Sequence, residues 1–243
     1  MPTVAPSSRQ ACLLSGLSLL LLVTSSGCAW FAKQSAKQPA SLPDSAIAGF
    51  VPQVPGETTV TRMADHAWRQ FDMTITERVQ SVDRDADQGL HIRVEQEFRY
   101  PDLSKQTVTT GMVIYADRLE YITPTGGREI QLKTPLRPGT RWHFDRPDRQ
   151  VTRKRIVAIE DVCTPRGTFP NALKVETTIA TRQGGRERVV RRMTRWFAKG
   201  CGEVLTIDRP QGPDATAHER RYYVIDKLSA DRREPFTPPP CRP

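Results

Sequence analysis

The sequence predicts an all-β fold, an antiparallel meander of about ten strands that curls into a half-barrel or barrel. Three observations support this prediction. Apolar and polar residues alternate with a period of two along most of the region 66–230. Short connections that contain Gly, Pro or Asp, such as 123–127 and 137–139, separate the alternating runs. Only the stretch 63–68 has a helical period, so a helical or mixed fold is not expected.

The first hairpin of the meander spans residues 71–98. Its connection, 83–89, is polar and ends in a glycine. In the second arm one face contains Leu90, Ile92, Val94 and Phe98, and the other contains His91, Arg93 and Glu95. Successive side chains of a strand point to opposite faces. We therefore expect the first set to be buried and the second set to be exposed.

The remaining strands follow the same pattern along the chain. They are predicted at 108–115, 119–122, 130–132, 142–144, 156–162, 173–179, 189–197, 204–207 and 222–228. The connections between them are short, which favours antiparallel pairing of sequential strands in one sheet. The sequence contains no repeat of fixed period and gives no sign of a second domain.

A short apolar run precedes the predicted domain. It extends from Cys12 to Val23, about 18 Å if helical, which is too short to cross a bilayer core of about 30 Å. Small residues then lead into Cys28, a pattern that resembles the lipobox of bacterial lipoproteins, although Ser25 stands where that family usually has Leu. The resemblance implies cleavage before Cys28 and acylation of this residue, with palmitate among its chains. The alternative is an ordinary secretory signal followed by an unrelated cysteine.

These patterns divide the chain into four segments. Residues 1–27 are predicted to be the signal peptide, 28–65 a lipidated cysteine with a Pro-rich tether, 66–230 a single β-domain and 231–243 a Pro-rich tail. The predicted location is the cell envelope, where the N-terminal lipid anchors the chain to a membrane. By resemblance to lipoprotein sorting in bacteria with two membranes, Ala29 after the acylated cysteine implies the periplasmic side of the outer membrane.

The chain carries a formal net charge of +9, and 28 of its 36 basic residues are Arg. A basic chain raises the question of nucleic-acid binding, but the aromatic residues are few and are not interleaved with the basic runs. An Arg-rich composition is also what a GC-rich genome produces. We expect no nucleic-acid partner.

The densest basic run contains Arg188, Arg191, Arg192 and Arg195. Alternation along a strand divides these residues between two faces. Such a run is typical of a solvated surface with a polar barrel rim. The alternative is contact with an anion, for instance a phospholipid headgroup.

The sequence contains no recognisable catalytic or metal-binding motif. The turn Asp83-x-Asp85-x-Asp87 resembles the start of an EF-hand loop, but Gln88 and Val94 occupy the positions that need Gly and Glu. The four histidines are not at metal-ligand spacing, and HExxH, GxSxG and Gly-rich phosphate loops are missing. We therefore expect no metal, no cofactor and no catalytic residue, and we expect that the protein is not an enzyme.

Two cysteines lie within the predicted domain, Cys163 and Cys201, and a third, Cys241, lies in the tail. Exported proteins form disulfides, and the hairpin between the first two can return Cys201 to the level of Cys163. We predict a Cys163–Cys201 disulfide, with Cys241 unpaired. The alternative is that Cys163 and Cys201 are two buried thiols.

Four segments in the middle of the chain, 136–142, 155–162, 165–175 and 194–204, carry a further resemblance. Their patterns include L-x-P-G-x-x-W, P-x-G-x-F-x-N-x-L-x-V and W-x-A-x-G-x-G-x-V. Together they resemble a group of bacterial cell-envelope lipoproteins of unassigned function. The resemblance implies tight turns at Gly139, Gly167, Gly200 and Gly202, and core positions for Trp142, Phe169 and Trp196. It carries over no catalytic residue.

The predicted function is that of a membrane-anchored, non-catalytic binding or scaffolding module, with a protein partner that the sequence does not identify. The alternative is a carrier or acceptor of lipid or lipoprotein acyl chains on the concave face of the sheet, as in the half-barrels of lipoprotein-localisation factors, which the fold resembles. An enzyme is the third class. A filled core favours scaffolding, an open apolar cavity favours the carrier, and convergent titratable groups in a polar pocket favour the enzyme.

Overall fold

The structure is a computed structural model that describes residues 46–84, 89–146, 149–211 and 219–228. The predicted signal peptide, the predicted lipidation site Cys28, the first part of the predicted tether and the predicted C-terminal tail therefore lie outside the described residues. In the described part of the chain, no helix has the length and apolar character needed to cross a membrane.

The described ranges form one 3-10 turn, Ala48–Phe50, followed by twelve strands. The strands are β1 (Thr58–Asp65), β2 (Gln70–Arg84), β3 (Leu90–Arg99), β4 (Lys105–Ile114), β5 (Arg118–Ile122), β6 (Arg128–Lys133), β7 (Arg141–Asp145), β8 (Gln150–Thr164), β9 (Gly167–Gln183), β10 (Arg186–Ala198), β11 (Gly202–Pro210) and β12 (Arg220–Leu228).

All twelve strands belong to one sheet, in the order β6-β5-β4-β3-β2-β1-β12-β11-β10-β9-β8-β7. Sequential strands pair antiparallel except β6 and β7, which form the two edges of the sheet, and β1 also pairs with β12, which joins the two ends of the meander. The sheet curls into a nearly closed barrel. The predicted all-β antiparallel meander is confirmed.

The two edges of the sheet, β6 and β7, meet through side chains. The indole Nε1 of Trp142 on β7 donates a hydrogen bond to the carbonyl oxygen of Ile130 on β6, at 3.2 Å. Arg146 forms an ion pair with Glu129, at 2.7 Å. We call this junction the seam; it closes the barrel with side-chain contacts in place of a backbone ladder.

The domain begins earlier than predicted. Residues 58–65, assigned to the tether, form β1, which lies between β2 and β12. Ile47 and Phe50 are 0% and 5% exposed and belong to the core. The predicted boundary at residue 65 is therefore wrong. The prolines near the segment indicate a loop, and β1 has few large apolar residues, so its position depends on its two neighbours.

The faces predicted for β3 are largely confirmed. Leu90, Ile92 and Val94 are buried, and Arg93 and Glu95 are exposed. Two predictions are wrong: Phe98 is only half-buried because it lines a cavity, and His91 is half-buried rather than exposed. His91 pairs across the sheet with Val113, which is itself fully buried, so this part of the polar face is covered.

The structural roles implied by the motifs are confirmed. Gly139, Gly167, Gly200 and Gly202 all have positive φ. The φ of +73° and +82° at Gly200 and Gly202 shows why the β10–β11 turn needs two glycines. Trp142, Phe169 and Trp196 are at most 6% exposed.

Candidate functional site

The barrel encloses a cavity of about 360 Å³, so its interior is not filled. The lining comes mainly from β1 to β6 and β10 to β12, together with residues that follow the 3-10 turn. One wall is apolar and includes Ile75, Val94, Phe98, Met112, Leu119 and Phe197. The other is polar and includes Glu77, Gln96, Tyr121, Gln131, Arg195 and Glu203. The cavity is therefore amphipathic.

Glu77 on β2 lies on the cavity side of its strand. Gln96, its cross-strand partner on β3, donates a hydrogen bond from Nε2 to Glu77 Oε1 at 2.6 Å. Burial raises the pKa of the Glu77 carboxyl, the negative charge of Glu203 raises it further, and the Gln96 hydrogen bond opposes both. Burial also raises the pKa of Tyr121, with Glu77 contributing. Glu77 therefore keeps its proton to a higher pH than an ordinary Glu.

Lys154 on β8 is buried at 4% exposure inside the barrel. Its Nζ donates to Gln131 Oε1 at 2.8 Å and lies 5.6 Å from the centre of the Phe144 ring. Arg195 on β10 donates from Nη1 to the same Gln131 oxygen at 2.6 Å. Two cationic side chains thus share one neutral acceptor.

Burial lowers the pKa of Lys154 well below its usual value, and the positive charge of Arg195 lowers it further. Glu129 and Glu203 oppose this shift, and Arg146 adds to it. Burial therefore makes the Lys154 ammonium less favourable than an exposed one, and additional negative charge nearby would oppose this effect.

Two carboxylates of the cavity already have close cationic partners. Asp208 accepts two hydrogen bonds from Arg191, one of them at 2.7 Å from Nε, and this contact raises the pKa of Arg191. Glu129 pairs with Arg146 at 2.7 Å. The closest cationic partners of these two acids are therefore arginines other than Arg195, although the charge of Glu129 also acts on Lys154.

The structure divides the predicted arginine run. Arg191 and Arg195 line the cavity, whereas Arg188 and Arg192 are exposed and do not line it. A bulge between Val189 and Arg191 shifts the register within this run. The predicted split of the run is observed, and the inward pair forms part of the site.

The predicted Cys163–Cys201 disulfide is wrong. Cys201 is a thiol, not part of a disulfide, and is buried at 6% exposure in a core cluster that also contains Val162. Cys163 follows Val162 in β8 and is exposed. Neighbouring residues in a strand point to opposite faces, so Cys163 lies on the face opposite to Val162, and it is disulfide-bonded to a cysteine other than Cys201. Cys28 and Cys241 lie outside the described residues.

Glu77, Gln131 and Lys154 are not among the residues predicted from the sequence to form a site. For two of them a signal was present. Glu77 has the same parity as Ile75 and the buried Val79, and Lys154 has the same parity as the buried Ile156. Period-two alternation therefore places both charged groups on the inner face. Among the described residues, no group of three or more His, Cys, Asp or Glu side chains could hold a metal ion.

No protein-family model matches the sequence, and no curated protein matches it. Two solved structures have a similar fold. One is a protein from Bacteroides fragilis, inferred to be exported and described as having a YmcC-like fold; it has 12% identity and a TM-score of 0.54, and the match covers 74% of this chain and 99% of that one. The other is an inferred lipoprotein from Parabacteroides distasonis, with 14% identity and a TM-score of 0.52, covering 74% of this chain and 98% of that one. The chain is therefore similar in fold to proteins with the YmcC-like fold.

Proposed function

We propose that this protein is a cell-envelope lipoprotein that binds a small ligand in the cavity of its barrel and does not catalyse a reaction. The observation that supports binding is the unfilled interior, a cavity of about 360 Å³ with one apolar and one charged wall. Ligand sites in proteins have volumes of roughly 300–1,000 Å³ and combine apolar walls with a few polar groups. A pure scaffold has no need for buried charges in an enclosed space, because such charges cost stability.

Acylation of Cys28 supplies the membrane anchor in this proposal. The lipobox-like sequence supports it, and one protein of similar fold is named as a lipoprotein. The resemblance to lipoprotein sorting supports the periplasmic side of an outer membrane as the location. Cys28→Ser should leave the chain unprocessed or release it from the membrane fraction. Normal processing and normal membrane fractionation of this variant would exclude the anchor.

The polar wall of the cavity argues against the binding of a long acyl chain. Glu77, Gln131 and Arg195 face the cavity, and a purely apolar chain would displace water from these groups without offering them a hydrogen bond. A ligand with both an apolar part and a polar end fits both walls. The proposed ligand is therefore a small amphipathic molecule.

The test uses the full mature chain, residues 28–243, with Cys28→Ser so that it remains soluble without detergent. The probe is N-phenyl-1-naphthylamine, a neutral dye whose fluorescence rises in apolar surroundings. Thr110 on β4 is 5% exposed and lines the cavity, and its neighbour Thr109 is exposed. We expect Thr110→Phe to reduce dye binding at least tenfold because the ring occupies the cavity, and we expect Thr109→Phe to have no effect.

Circular dichroism and the thermal midpoint show whether both variants are folded. A wild-type chain that does not bind the dye would refute cavity binding. Equal binding by the two folded variants would also refute it, because the dye would then bind elsewhere.

A further inference from the structure

We propose that the ligand carries an oxyanion, a carboxylate or a phosphate, and that this group binds between Arg195 and Lys154 at the position of the Gln131 side-chain oxygen. This inference rests on the proposed function and specifies the chemistry of its ligand. It gives a role to a group of buried side chains that the fold alone does not require.

The first argument is the geometry around Gln131. Its Oε1 accepts from Lys154 Nζ at 2.8 Å and from Arg195 Nη1 at 2.6 Å. Both distances are in the range of charge-assisted hydrogen bonds. An amide oxygen that receives two cationic donors occupies the position that an anionic oxygen would take. Gln131 lines the cavity, so rotation of its side chain would open this position to a ligand.

The second argument is a set of donors without acceptors. Arg195 Nε, Thr152 Oγ1 and Thr177 Oγ1 are buried and have no hydrogen-bond partner among the described residues. Both threonines are 2% exposed. Thr177 lies directly opposite Lys154 in the β8–β9 pair, and Thr152 is two residues before Lys154 on the same face. A buried donor without an acceptor is costly, and an oxyanion is a group that only accepts.

The third argument is the charge around the cavity. Glu129 and Asp208 have close partners in Arg146 and Arg191, and Glu203 is 3.8 Å from Arg195. Of the two donors to Gln131, Arg195 therefore has a carboxylate only at the limit of ion-pair distance, and Lys154 has no ion pair among the described residues. An anion at the position of the Gln131 oxygen would supply a negative charge to both.

The pKa of Lys154 also depends on what occupies this position. Without an anion, burial and Arg195 lower the pKa of Lys154. A bound oxyanion would stabilise the ammonium form.

The experiment uses the same soluble mature chain and measures displacement of N-phenyl-1-naphthylamine. The competitors are octan-1-ol, octanoate and octyl phosphate, which share a chain length and differ in the end group. We expect at least one of the two anions to displace the dye at a concentration about tenfold lower than octan-1-ol, a difference of about 1.4 kcal/mol. Inorganic phosphate, compared with sodium chloride at equal ionic strength through the thermal midpoint, tests the charged group without a chain.

The variants are Arg195→Gln and Lys154→Met, with Arg192→Gln as the matched control because Arg192 is exposed and outside the cavity. The Arg195→Gln and Lys154→Met variants should remove the preference for the anion and leave octan-1-ol unchanged, and the control should behave as the wild type. A response to inorganic phosphate would identify a free ion as sufficient, and a response only to the octyl anions would identify an amphiphile; both support the oxyanion site.

Two results would overturn the inference. One is equal displacement by octan-1-ol and both anions with no response to inorganic phosphate, which leaves cavity binding intact and removes the oxyanion. The other is an anion preference that the folded Arg195→Gln and Lys154→Met variants both retain. Failure of the dye to bind at all is a different result, because it refutes the proposed function itself.

Discussion

The seam between β6 and β7 leads to a quantitative prediction for Trp142→Phe. Trp142 is 6% exposed, and its Nε1 donates to the Ile130 carbonyl oxygen across the gap, at 3.2 Å. Phe keeps an aromatic ring but lacks the donor. Loss of a hydrogen bond of this kind costs about 1 kcal/mol, and the space left by the smaller ring costs about 1 kcal/mol more. We therefore expect the free energy of unfolding to fall by about 2 kcal/mol.

The assay is urea unfolding of the soluble mature chain, followed by far-ultraviolet circular dichroism and analysed by linear extrapolation. For a domain of this size the same change corresponds to a fall of about 4–8 °C in thermal midpoint. His143→Ala is the matched control, since His143 is the next residue in β7 and is exposed; its effect should stay within about 0.5 kcal/mol. A Trp142→Phe chain as stable as the control would show that the Trp142–Ile130 hydrogen bond does not hold the seam.

Three further predictions concern individual residues. The lowered pKa of Lys154 means that the unfolded chain binds more protons, so stability should rise with pH between the native pKa of this group and about 10.4, its unfolded value; Lys154→Met should flatten this slope in unfolding experiments at several pH values. The raised pKa of Glu77 has the opposite sign, so its stabilising contribution should be lost as pH rises from about 4.3 through the native pKa; Glu77→Gln should remove that loss, and an unchanged slope would contradict burial as the cause. Gly200 has φ +73° and open space around it, so Gly200→Ala should cost about 1–2 kcal/mol through backbone strain alone, whereas the same change at Gly49, which has no positive φ, should cost less.

The alternation of the sequence was enough to predict the sheet and most of its faces. Leu90, Ile92 and Val94 are inward, as predicted, because side-chain direction in a strand depends only on parity. The same rule places Glu77 and Lys154 on the inner face. Charged residues at inward positions are unusual, so neither residue was among the predicted site residues. The prediction of a Cys163–Cys201 disulfide was wrong because it used only the positions of the two cysteines along a hairpin. It did not take account of the faces of the sheet on which their side chains lie.

β1 shows a limit of local patterns. Its residues, 58–65, alternate weakly and follow two prolines, so they resemble a tether. The strand exists because β2 and β12 each offer it a backbone ladder. Pairing with distant partners determined this element, and its own composition did not.

The sequence by itself determined the all-β class, the antiparallel order of neighbouring strands and the glycine turns, since each depends on residues close together in the chain. Only the tertiary structure decided that β1 joins β12, that β6 meets β7 at the seam, and that Gln131 contacts both Lys154 and Arg195. Those two contacts join residues 23 and 64 positions apart. The curvature of the whole sheet brings them together, and curvature accumulates over all twelve strands. A period of two specifies which face a side chain lies on; it does not specify which side chain lies across the barrel from it.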